Sequence, residues 1–370
     1  MRVAIENLHS LCENNTHALT RGRSYFLLNG HTLVDSGDRC DILFIGGCTV
    51  TDTMRDRCFQ AIANKMEKHP GAIVIVFGCL SAFPDALSEN TRIDHQRLHI
   101  ISYQESALLD ALLSAKIPYG EVTTHILHGH IPYQKQIGPA DSYVHIAHGC
   151  VNDCSYCNIK LAKGRVASRP PAVIEEEVRA LYRDGVTVIT LLGDDCGSYG
   201  LDRGTDLPTL LESLAAISPD LKFKLFTIFP ALYLQYAERL EPFFAARRIP
   251  YICLPVQSAS PRLLKLMNRE YDTASLERAI SRIRSLDADA YIYSHFMFNF
   301  PTETMAELIQ STFFARLFNS TVFIGYGENS ATRAASLHTR IDNAERGIRN
   351  AYLQDLIRRG ELSAFLVPQP

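Results

Sequence analysis

The sequence lacks the features that would assign it to a membrane or secreted class. It has no apolar run long enough to cross a bilayer, and the N-terminal segment MRVAIENLHSLCENN becomes polar too early for a signal peptide. Short repeats and low-complexity tracts are also absent. Because 46% of the residues are hydrophobic and 21% are charged, we expect a globular cytoplasmic protein with no membrane partner.

The sequence also has little net charge. The formal total is −3 at pH 7 and the pI is near 6.5, so the composition does not indicate a nucleic-acid partner. A local basic groove is compatible with such a total, which therefore neither requires RNA nor excludes it.

The length of 370 residues exceeds what one ordinary core needs, so we expect two domains. In residues 1–115, helical stretches at 51–68 and 104–115 alternate with strand-like runs, which are RVAIEN, CDILFIGG, AIVIVFG and LHIISY. This alternation predicts an α/β domain built on a small doubly wound parallel sheet. Residues 116–141, which contain several prolines and glycines, are predicted to form a linker with an extended arm.

A second series of strands and helices is predicted over residues 142–335. Its strand-like runs are SYVHIAHG, VTVITLLG, KFKLFTIFP, PYICLPVQ, AYIYSHFMFNFP and TVFIGYGE. The helical segments between them lie near 172–184, 207–217, 231–246, 273–286 and 303–318. This pattern predicts an open (β/α)6 partial barrel with its chemistry at the C-terminal strand ends. Residues 336–370 are expected to form a helical extension, with a charged helix at about 339–359.

Three cysteines, Cys150, Cys154 and Cys157, lie close together on the loop after the first strand of the second series. Spacings of four and three let a loop fold around a compact iron–sulfur cluster, with each sulfur reaching a different iron. Closed zinc sites and electron-transfer clusters normally take four protein ligands, so three thiolates leave one iron open. A zinc site completed by His145 or His148 is the alternative.

A second set of three cysteines is spread over the first domain. Cys48 and Cys79 each follow a predicted strand at its C-terminal end, and Cys12 lies on the first connection. Because ligand sites in open α/β sheets form along that edge, the three thiols are predicted to converge. The alternative is that they are buried and unreactive. Cys40 and Cys58 are interpreted as structural, and disulfides are not expected in a reducing compartment.

These motifs resemble, in the same order, those of the radical S-adenosylmethionine (SAM) methylthiotransferases. The similarity covers about residues 1–335 and is carried by SLCENN, GGCTVT, FGCLS, HGCVNDCSYCNIKLAKGRVASRP, GVTVITLLGDDCGSYG, FKLFTIFP, CLPVQSASPRLLKLMNREYD, FNFPTET and GYGENSATRAA. The resemblance implies a methylthiotransferase N-terminal domain followed by a radical SAM partial barrel. It also implies two 4Fe-4S clusters and SAM as cofactors, with one cluster on the cysteine loop and an auxiliary cluster on the first domain's three cysteines.

The resemblance further implies an activity. The loop cluster would bind SAM and cleave it reductively to a 5′-deoxyadenosyl radical, while the auxiliary cluster would carry the sulfur that is transferred. The expected reaction converts a substrate C–H to C–S–CH3, with electrons from a donor such as flavodoxin or ferredoxin. The alternatives are sulfur insertion or peptide modification without methylthio transfer, and a non-catalytic iron–sulfur sensor.

Other positions are expected, through the same resemblance, to line the cofactor or substrate cavity. They are Tyr156, Arg165, Arg169, Gly193, Asp194, Gln257 and Ser258. Most of these positions also have a simpler interpretation, which is packing for the tyrosine, salt bridges for the arginines, a turn for Gly193 and helix capping for Ser258.

Three departures from the family pattern bear on function. HFMFNFPTET replaces a motif of the form DxxxGFPGET and places His295 in the fifth strand, where a satisfied core histidine is the alternative to a catalytic one. LLGDDCGSYG replaces LLGQNVNSYG and puts Asp195 and Cys196 at a strand end, with Cys196 a candidate to face the cavity. About 35 residues follow the last predicted barrel strand, too few for the small β-barrel (TRAM) domain of the enzymes acting on tRNA or ribosomal protein. A peptide or small natural-product precursor is therefore the expected substrate, and a tRNA adenosine is the alternative.

Overall fold

The computed structural model describes residues 1–9, 12–88, 92–122, 141–337 and 340–368. Its internal contacts divide the chain into two compact units. Unit 1 comprises Met1–Tyr143 and Asn158–Arg165, and unit 2 comprises Val144–Cys157 and Val166–Pro370. Most of the predicted linker and arm falls outside the described residues. None of the helices in the described ranges is long and apolar enough to cross a bilayer.

Unit 1 is built on a five-stranded sheet in which all neighbouring strands are parallel. Its strands are β1 (Arg2–Asn7), β2 (Thr32–Val34), β3 (Ile42–Gly46), β4 (Ile73–Phe77) and β5 (Leu98–Ile101). They lie in the order β2-β1-β3-β4-β5, which confirms the predicted parallel sheet. The edge strand β2 was not predicted, because three residues are too few to show an alternating pattern.

The helices of unit 1 cover both faces of this sheet. They are α1 (Glu13–Leu28), α2 (Asp52–Lys68), α3 (Pro84–Ser88), α4 (Ser106–Leu113) and α5 (Ile159–Lys163). Side chains of β3 alternate between two apolar clusters, with Leu43 and Ile45 in one and Ile42 and Phe44 in the other. A strand that is buried on both faces reads as a continuous apolar run, which is why the sequence predicted β3 correctly.

Helix α5 lies in unit 1 although it follows the cysteine loop of unit 2 in the chain. The side-chain amide of Asn158, just before α5, donates to the backbone oxygen of Thr49 at 2.5 Å and to its hydroxyl at 2.8 Å. At the end of the helix, the carbonyl of Lys163 accepts from the amide of Gln104 at 2.5 Å. These hydrogen bonds, of which those from Asn158 are buried, hold residues 158–165 to the rest of unit 1.

Unit 2 is built on an eight-stranded open sheet. Its strands are β6 (Asp141–His148), β7 (Ala167–Ser168), β8 (Val188–Gly193), β9 (Lys222–Leu225), β10 (Tyr251–Cys253), β11 (Tyr291–Phe298), β12 (Ser320–Gly325) and β13 (Ala364–Val367). They lie in the order β13-β12-β11-β10-β9-β8-β6-β7, and the run from β8 to β13 is parallel throughout. The six predicted strands are all present.

Two edge strands correct the predicted six-stranded arrangement. The two-residue strand β7 pairs antiparallel with β6, and β13 adds a parallel strand beside β12. The residues expected to form a purely helical extension therefore also contain a strand. A short apolar run at the end of the chain has no diagnostic period, and only the exposed edge of β12 makes it a strand.

The helices of unit 2 pack along this sheet. They are α6 (Pro171–Arg183), α7 (Leu207–Ala215), α8 (Pro230–Ala245), α9 (Pro261–Leu266), α10 (Thr273–Leu286), α11 (Met305–Ala315) and α12 (Asn343–Arg358). Burial alternates along β11, so that Ile292, Phe296 and Phe298 are fully covered while Tyr293 and His295 on the other face are only partly covered. The half-covered face is the one that can line a cavity.

Candidate functional site

The three cysteines predicted to converge in unit 1 lie at the C-terminal edge of its sheet. Gly47 separates Cys48 from the end of β3, Cys79 follows β4 after Gly78, and Cys12 immediately precedes α1. Burial raises the pKa of Cys12 to about 11 and that of Cys48 to about 12. A negative charge on Cys79 would raise the pKa of Cys12 and of Cys48 further, and a negative charge on Cys12 would raise the pKa of Cys48. The three thiols therefore lie close enough to interact electrostatically.

Glycine is needed beside Cys79 because the chain turns there in a left-handed conformation. Gly78 has φ 98°, and a β-carbon built on it would lie 2.4 Å from the ring of Tyr103. The Tyr103 hydroxyl donates to Asn15 Oδ1 at 3.3 Å, and the Asn15 amide donates to Asn7 Oδ1 at 2.6 Å. This polar network holds α1, and hence Cys12 at its start, against the strand ends.

Two other residues adjoin these thiols. The positive charge of Lys163 lowers the pKa of Cys12 against the effect of burial, and its ammonium lies 5.1 Å from the Tyr103 ring centre. Charge on Cys58 raises the pKa of Cys48, but Cys58 is only 2% exposed and packs in an apolar cluster. Its packing agrees with the structural role predicted for it.

The donor set in unit 1 is suited to a cluster rather than to one metal ion. No group of three cysteine, histidine or acidic side chains in the described ranges is arranged to hold a single ion. Ligands of a cubane stand farther apart, since four irons and four sulfides separate them. Burial raises the pKa of Cys12 and Cys48, so these half-buried thiols need the positive charge of a metal to be held as thiolates.

The cysteine loop of unit 2 is shaped by its own backbone and by Asn152. The Cys157 N–H donates to the Cys154 carbonyl at 3.2 Å. The Asn152 N–H and side-chain amide donate to Cys150 Sγ at 3.4 and 3.2 Å. Burial, followed by the charge of Asp195, raises the pKa of Cys150 to about 12. The loop therefore presents its thiols in a protected environment and stabilises the charged form of one sulfur with two donors.

The segment after α9 fixes the middle of this loop. Ser155 donates through its N–H to the Met267 carbonyl at 2.9 Å and through its hydroxyl to the Leu266 carbonyl at 2.8 Å. Arg269 Nη1 donates to Cys154 Sγ at 3.2 Å. Sequence reasoning missed Arg269, although it lies within the motif MNREYD on which the resemblance partly rests.

The paired acids after β8 hold the start of the loop. Asp194 Oδ2 accepts from the Gly149 N–H at 2.9 Å. Asp195, which is 3% exposed, accepts from the Ser198 hydroxyl at 2.6 Å and from the Asn152 amide at 2.8 Å. Burial raises the pKa of Asp195, and these hydrogen bonds oppose that shift. Both acids thus act on the backbone and side chains around Cys150.

The other residues expected to bind the cofactor lie in different surroundings. Arg169 pairs with Glu177 at 2.7 Å and donates to the His145 carbonyl at 2.6 Å, whereas Arg165 is exposed. A β-carbon on Gly193 would lie 3.3 Å from the Ala147 carbonyl, so glycine eases the close approach of β8 to β6. Cofactor contacts of these three residues remain predictions.

Tyr156, Gln257 and Ser258 are arranged mainly by packing. The Tyr156 ring meets Phe300 edge-on, with centroids 6.5 Å apart. Gln257 has φ 70° and continues the pairing with β11 through its backbone. Ser258 is fully buried and accepts from the Ser260 N–H at 3.1 Å, which favours the structural interpretation of Ser258.

Cys196 lies in the interior of unit 2, just after β8. It is fully buried, and its Sγ donates to the Leu191 carbonyl at 3.3 Å. The cavity-facing role expected of Cys196 stays a prediction.

His295 is neutral in the folded protein. Its Nε2 lies 3.8 Å from Cys253 Sγ, and its ring meets that of Tyr293 edge-on at 5.3 Å. Burial, followed by the charge of Arg269, lowers the pKa of His295 from 6.5 to about 4. Below pH 6.5 the unfolded chain therefore binds a proton that the folded state excludes, so stability falls as the pH falls.

We expect the free energy of unfolding to lose about 2 kcal/mol between pH 7.5 and pH 5 through His295 alone. In urea unfolding at both pH values, the free energy of unfolding of His295→Gln should fall by about 2 kcal/mol less than that of the parent. His95→Gln, at an exposed histidine, is the matched control and should behave like the parent. Equal pH dependence in both variants would contradict the assignment of an imidazole that stays neutral in the folded protein.

Comparison with known proteins agrees with this arrangement. Residues 144–315 match the Radical SAM superfamily, and residues 3–95 match a family described as "Uncharacterized protein family UPF0004". The solved structure of the radical S-adenosylmethionine methyltransferase TsrM from Kitasatospora setae, with cobalamin and a [4Fe-4S] cluster bound, has a TM-score of 0.62. It covers 90% of this chain and 77% of that chain at 14% identity, a level at which the likeness concerns the fold.

Two curated relatives are similar over most of this chain. The tRNA-2-methylthio-N(6)-dimethylallyladenosine synthase of Oleidesulfovibrio alaskensis is 30% identical over 321 residues, which is 84% of this chain and 62% of that enzyme. The ribosomal protein uS12 methylthiotransferase of Acidithiobacillus ferrooxidans is 29% identical over 305 residues, which is 78% of this chain and 66% of that enzyme. The chain thus spans somewhat under two thirds of the length of these two relatives. These relatives and the two family matches confirm the resemblance to the radical SAM methylthiotransferases that the motifs predicted.

Proposed function

We propose that this protein transfers a methylthio group to a carbon atom of a tRNA nucleoside, converting C–H to C–S–CH3. The observation that carries the proposal is the shared neighbourhood of Cys12, Cys48 and Cys79 at one edge of the unit 1 sheet. A radical SAM cysteine loop alone serves many reactions, whereas a second set of three thiols provides a site that can hold the sulfur atom before it is transferred.

Members of the family use SAM and two 4Fe-4S clusters, which supply electron transfer and sulfur delivery that side chains cannot provide. In this chain, the Cys150, Cys154 and Cys157 thiols would hold one cluster, and the three thiols of unit 1 would hold the other. The protein's own contribution is to protect and orient these thiols. Asn152 and Asp195 do so beside Cys150, and Arg269 does so beside Cys154.

The choice of tRNA rests on the relatives. One is named for a modified tRNA adenosine, and another is named for a threonylcarbamoyladenosine in tRNA. A third is named for ribosomal protein uS12. The peptide or small natural-product substrate expected from the sequence has no counterpart among these names, so the tRNA alternative now takes precedence. An electron donor such as flavodoxin or ferredoxin remains a prediction.

The proposal is tested by product mass. The anaerobically reconstituted enzyme is incubated with SAM, a reductant and bulk tRNA from cells that lack methylthiotransferases, and in parallel with ribosomal protein uS12. We expect a tRNA nucleoside to gain one sulfur and one methylene, as detected by mass spectrometry of the digested RNA. Omission of SAM is the control. Methylthiolation of uS12 with no change in any nucleoside would transfer the assignment to a protein substrate.

A further inference from the structure

We infer that Arg269 is a positioning residue for the cysteine loop of unit 2, and that its guanidinium raises the reduction potential of the cluster held there. The inference rests on the proposed function, because it takes Cys150, Cys154 and Cys157 as ligands. It adds a residue of unit 2, outside the loop, that acts on the electron-transfer step through Cys154.

The guanidinium is fixed on several sides. Its Nη1 donates to Cys154 Sγ at 3.2 Å, and its Nη2 donates to the Pro255 carbonyl. The ring of Phe229 lies under the guanidinium carbon, 4.4 Å from it. The backbone N–H of Arg269 donates to the Leu264 carbonyl at 2.8 Å, and the residue is 5% exposed. The guanidinium is therefore part of the packed interior and not of the solvated surface.

Charge compensation points to an anionic sulfur. A guanidinium is always protonated, and burying it costs several kcal/mol unless a negative group compensates it. Within the described ranges, no carboxylate lies at ion-pair distance from Arg269, and its Nε makes no hydrogen bond. The buried Asp195 carboxylate, whose pKa the Arg269 charge lowers, acts on the guanidinium only at longer range. A neutral thiol is a weak acceptor, whereas a metal-bound thiolate is a strong one. The geometry around Cys154 therefore suits a thiolate.

The direction of the effect follows from charge. Reduction adds an electron to the cluster, and a permanent positive charge at one ligand stabilises the more negative state. Hydrogen bonds to cluster sulfurs and local charge are established determinants of the potential. On the other side of the loop, the Asp195 carboxyl group lies 3.8 Å from Cys150 Sγ, so Arg269 also offsets that charge.

The experiment isolates the unit 2 cluster in the full-length protein. Cys12, Cys48 and Cys79 are replaced with alanine, and the reconstituted protein should contain about four irons per chain. In this background, Arg269→Met should lower the ratio of reduced to oxidised cluster about tenfold at a fixed ambient potential. For a one-electron couple this is a shift of 59 mV. The ratio is read from the electron paramagnetic resonance signal of the reduced cluster.

Arg248→Met is the matched control. Arg248 also stacks on an aromatic ring, 5.6 Å from the centre of Phe223, and donates to carbonyls of Leu221, Ala215 and Ser218, but it contacts no cysteine thiol. It should leave the ratio unchanged. Equal ratios in the parent, Arg248→Met and Arg269→Met would overturn the inference.

Arg269→Lys keeps the experiment decisive if Arg269→Met folds poorly or loses iron. Lysine retains the charge but not the planar fork, so the ratio should fall by less than tenfold. A tenfold or larger fall in that variant, with the cluster fully loaded, would refute the assignment of the effect to the positive charge. Failure of the background protein to bind any iron would instead refute the ligand assignment of the proposed function, and the inference with it.

Discussion

Replacing Cys154 with alanine is expected to abolish reductive cleavage of SAM, whereas replacing Cys79 is expected to leave cleavage running and to abolish methylthio transfer. The two thiols belong to different three-cysteine sets, on different units of the chain. Loss of a residue that only hydrogen-bonds to a metal ligand typically costs about 10- to 100-fold in metal affinity or activity, so loss of a ligand itself should cost more than about 100-fold. The measurements are the yields of 5′-deoxyadenosine and of methylthiolated product in one reaction.

Iron content provides the control for this pair of variants. The parent should contain about eight irons per chain and each variant about four, since each loses one cluster. Cys40→Ala, at a buried cysteine outside both sets, should change neither iron content nor either yield. If Cys79→Ala also stopped formation of 5′-deoxyadenosine at full occupancy of the other cluster, unit 1 would be only a folding support.

Replacing Arg349 with methionine is expected to lower the free energy of unfolding by about 3–5 kcal/mol. Arg349 Nη1 donates to Glu303 Oε2 at 2.8 Å and Nη2 donates to the Glu303 carbonyl at 2.7 Å, and both side chains are 0% exposed. Without the arginine, the carboxylate is buried and unpaired. Burial raises the pKa of Glu303 and the charge of Arg349 lowers it, so loss of the arginine should raise that pKa further, and uptake of a proton should keep the loss near the lower figure.

Two further variants separate this effect from a general weakness of α12. Arg358→Met on the same helix breaks an exposed ion pair with Asp355, and should cost less than about 1 kcal/mol. The double variant Glu303→Gln with Arg349→Met should recover part of the loss, because the uncompensated charge is gone. Equal losses of unfolding free energy for Arg349→Met and Arg358→Met would show that the buried ion pair stabilises the protein no more than the exposed one.

Elements with a clear apolar period were predictable from the sequence. The strand β3 is an unbroken apolar run, and α10 carries Leu276, Ile280 and Ile283 on one buried face. Helix α1 was missed because its inward positions include Asn15, His17 and Arg21. Those polar side chains interrupt the apolar stripe by which an amphipathic helix is recognised in a sequence.

The candidate site was predictable where local spacing or strand position determined it. The loop of Cys150, Cys154 and Cys157 is visible in the sequence, and strand ends indicated Cys48 and Cys79. Arg269 could not be placed, because it reaches Cys154 across 115 positions of the chain. A long-range contact of this kind depends on how strands and helices pack, and no local pattern encodes it.

The return of the chain to unit 1 after Cys157 has a practical consequence for dissecting the protein. Asn158 and Lys163 make hydrogen bonds with Thr49 and Gln104, so a fragment that stops at Tyr143 would expose their partners and remove the lysine beside Cys12. A single cut therefore cannot yield two intact halves. Trimmed versions of unit 1 need residues 158–165 grafted back before their iron binding can be interpreted.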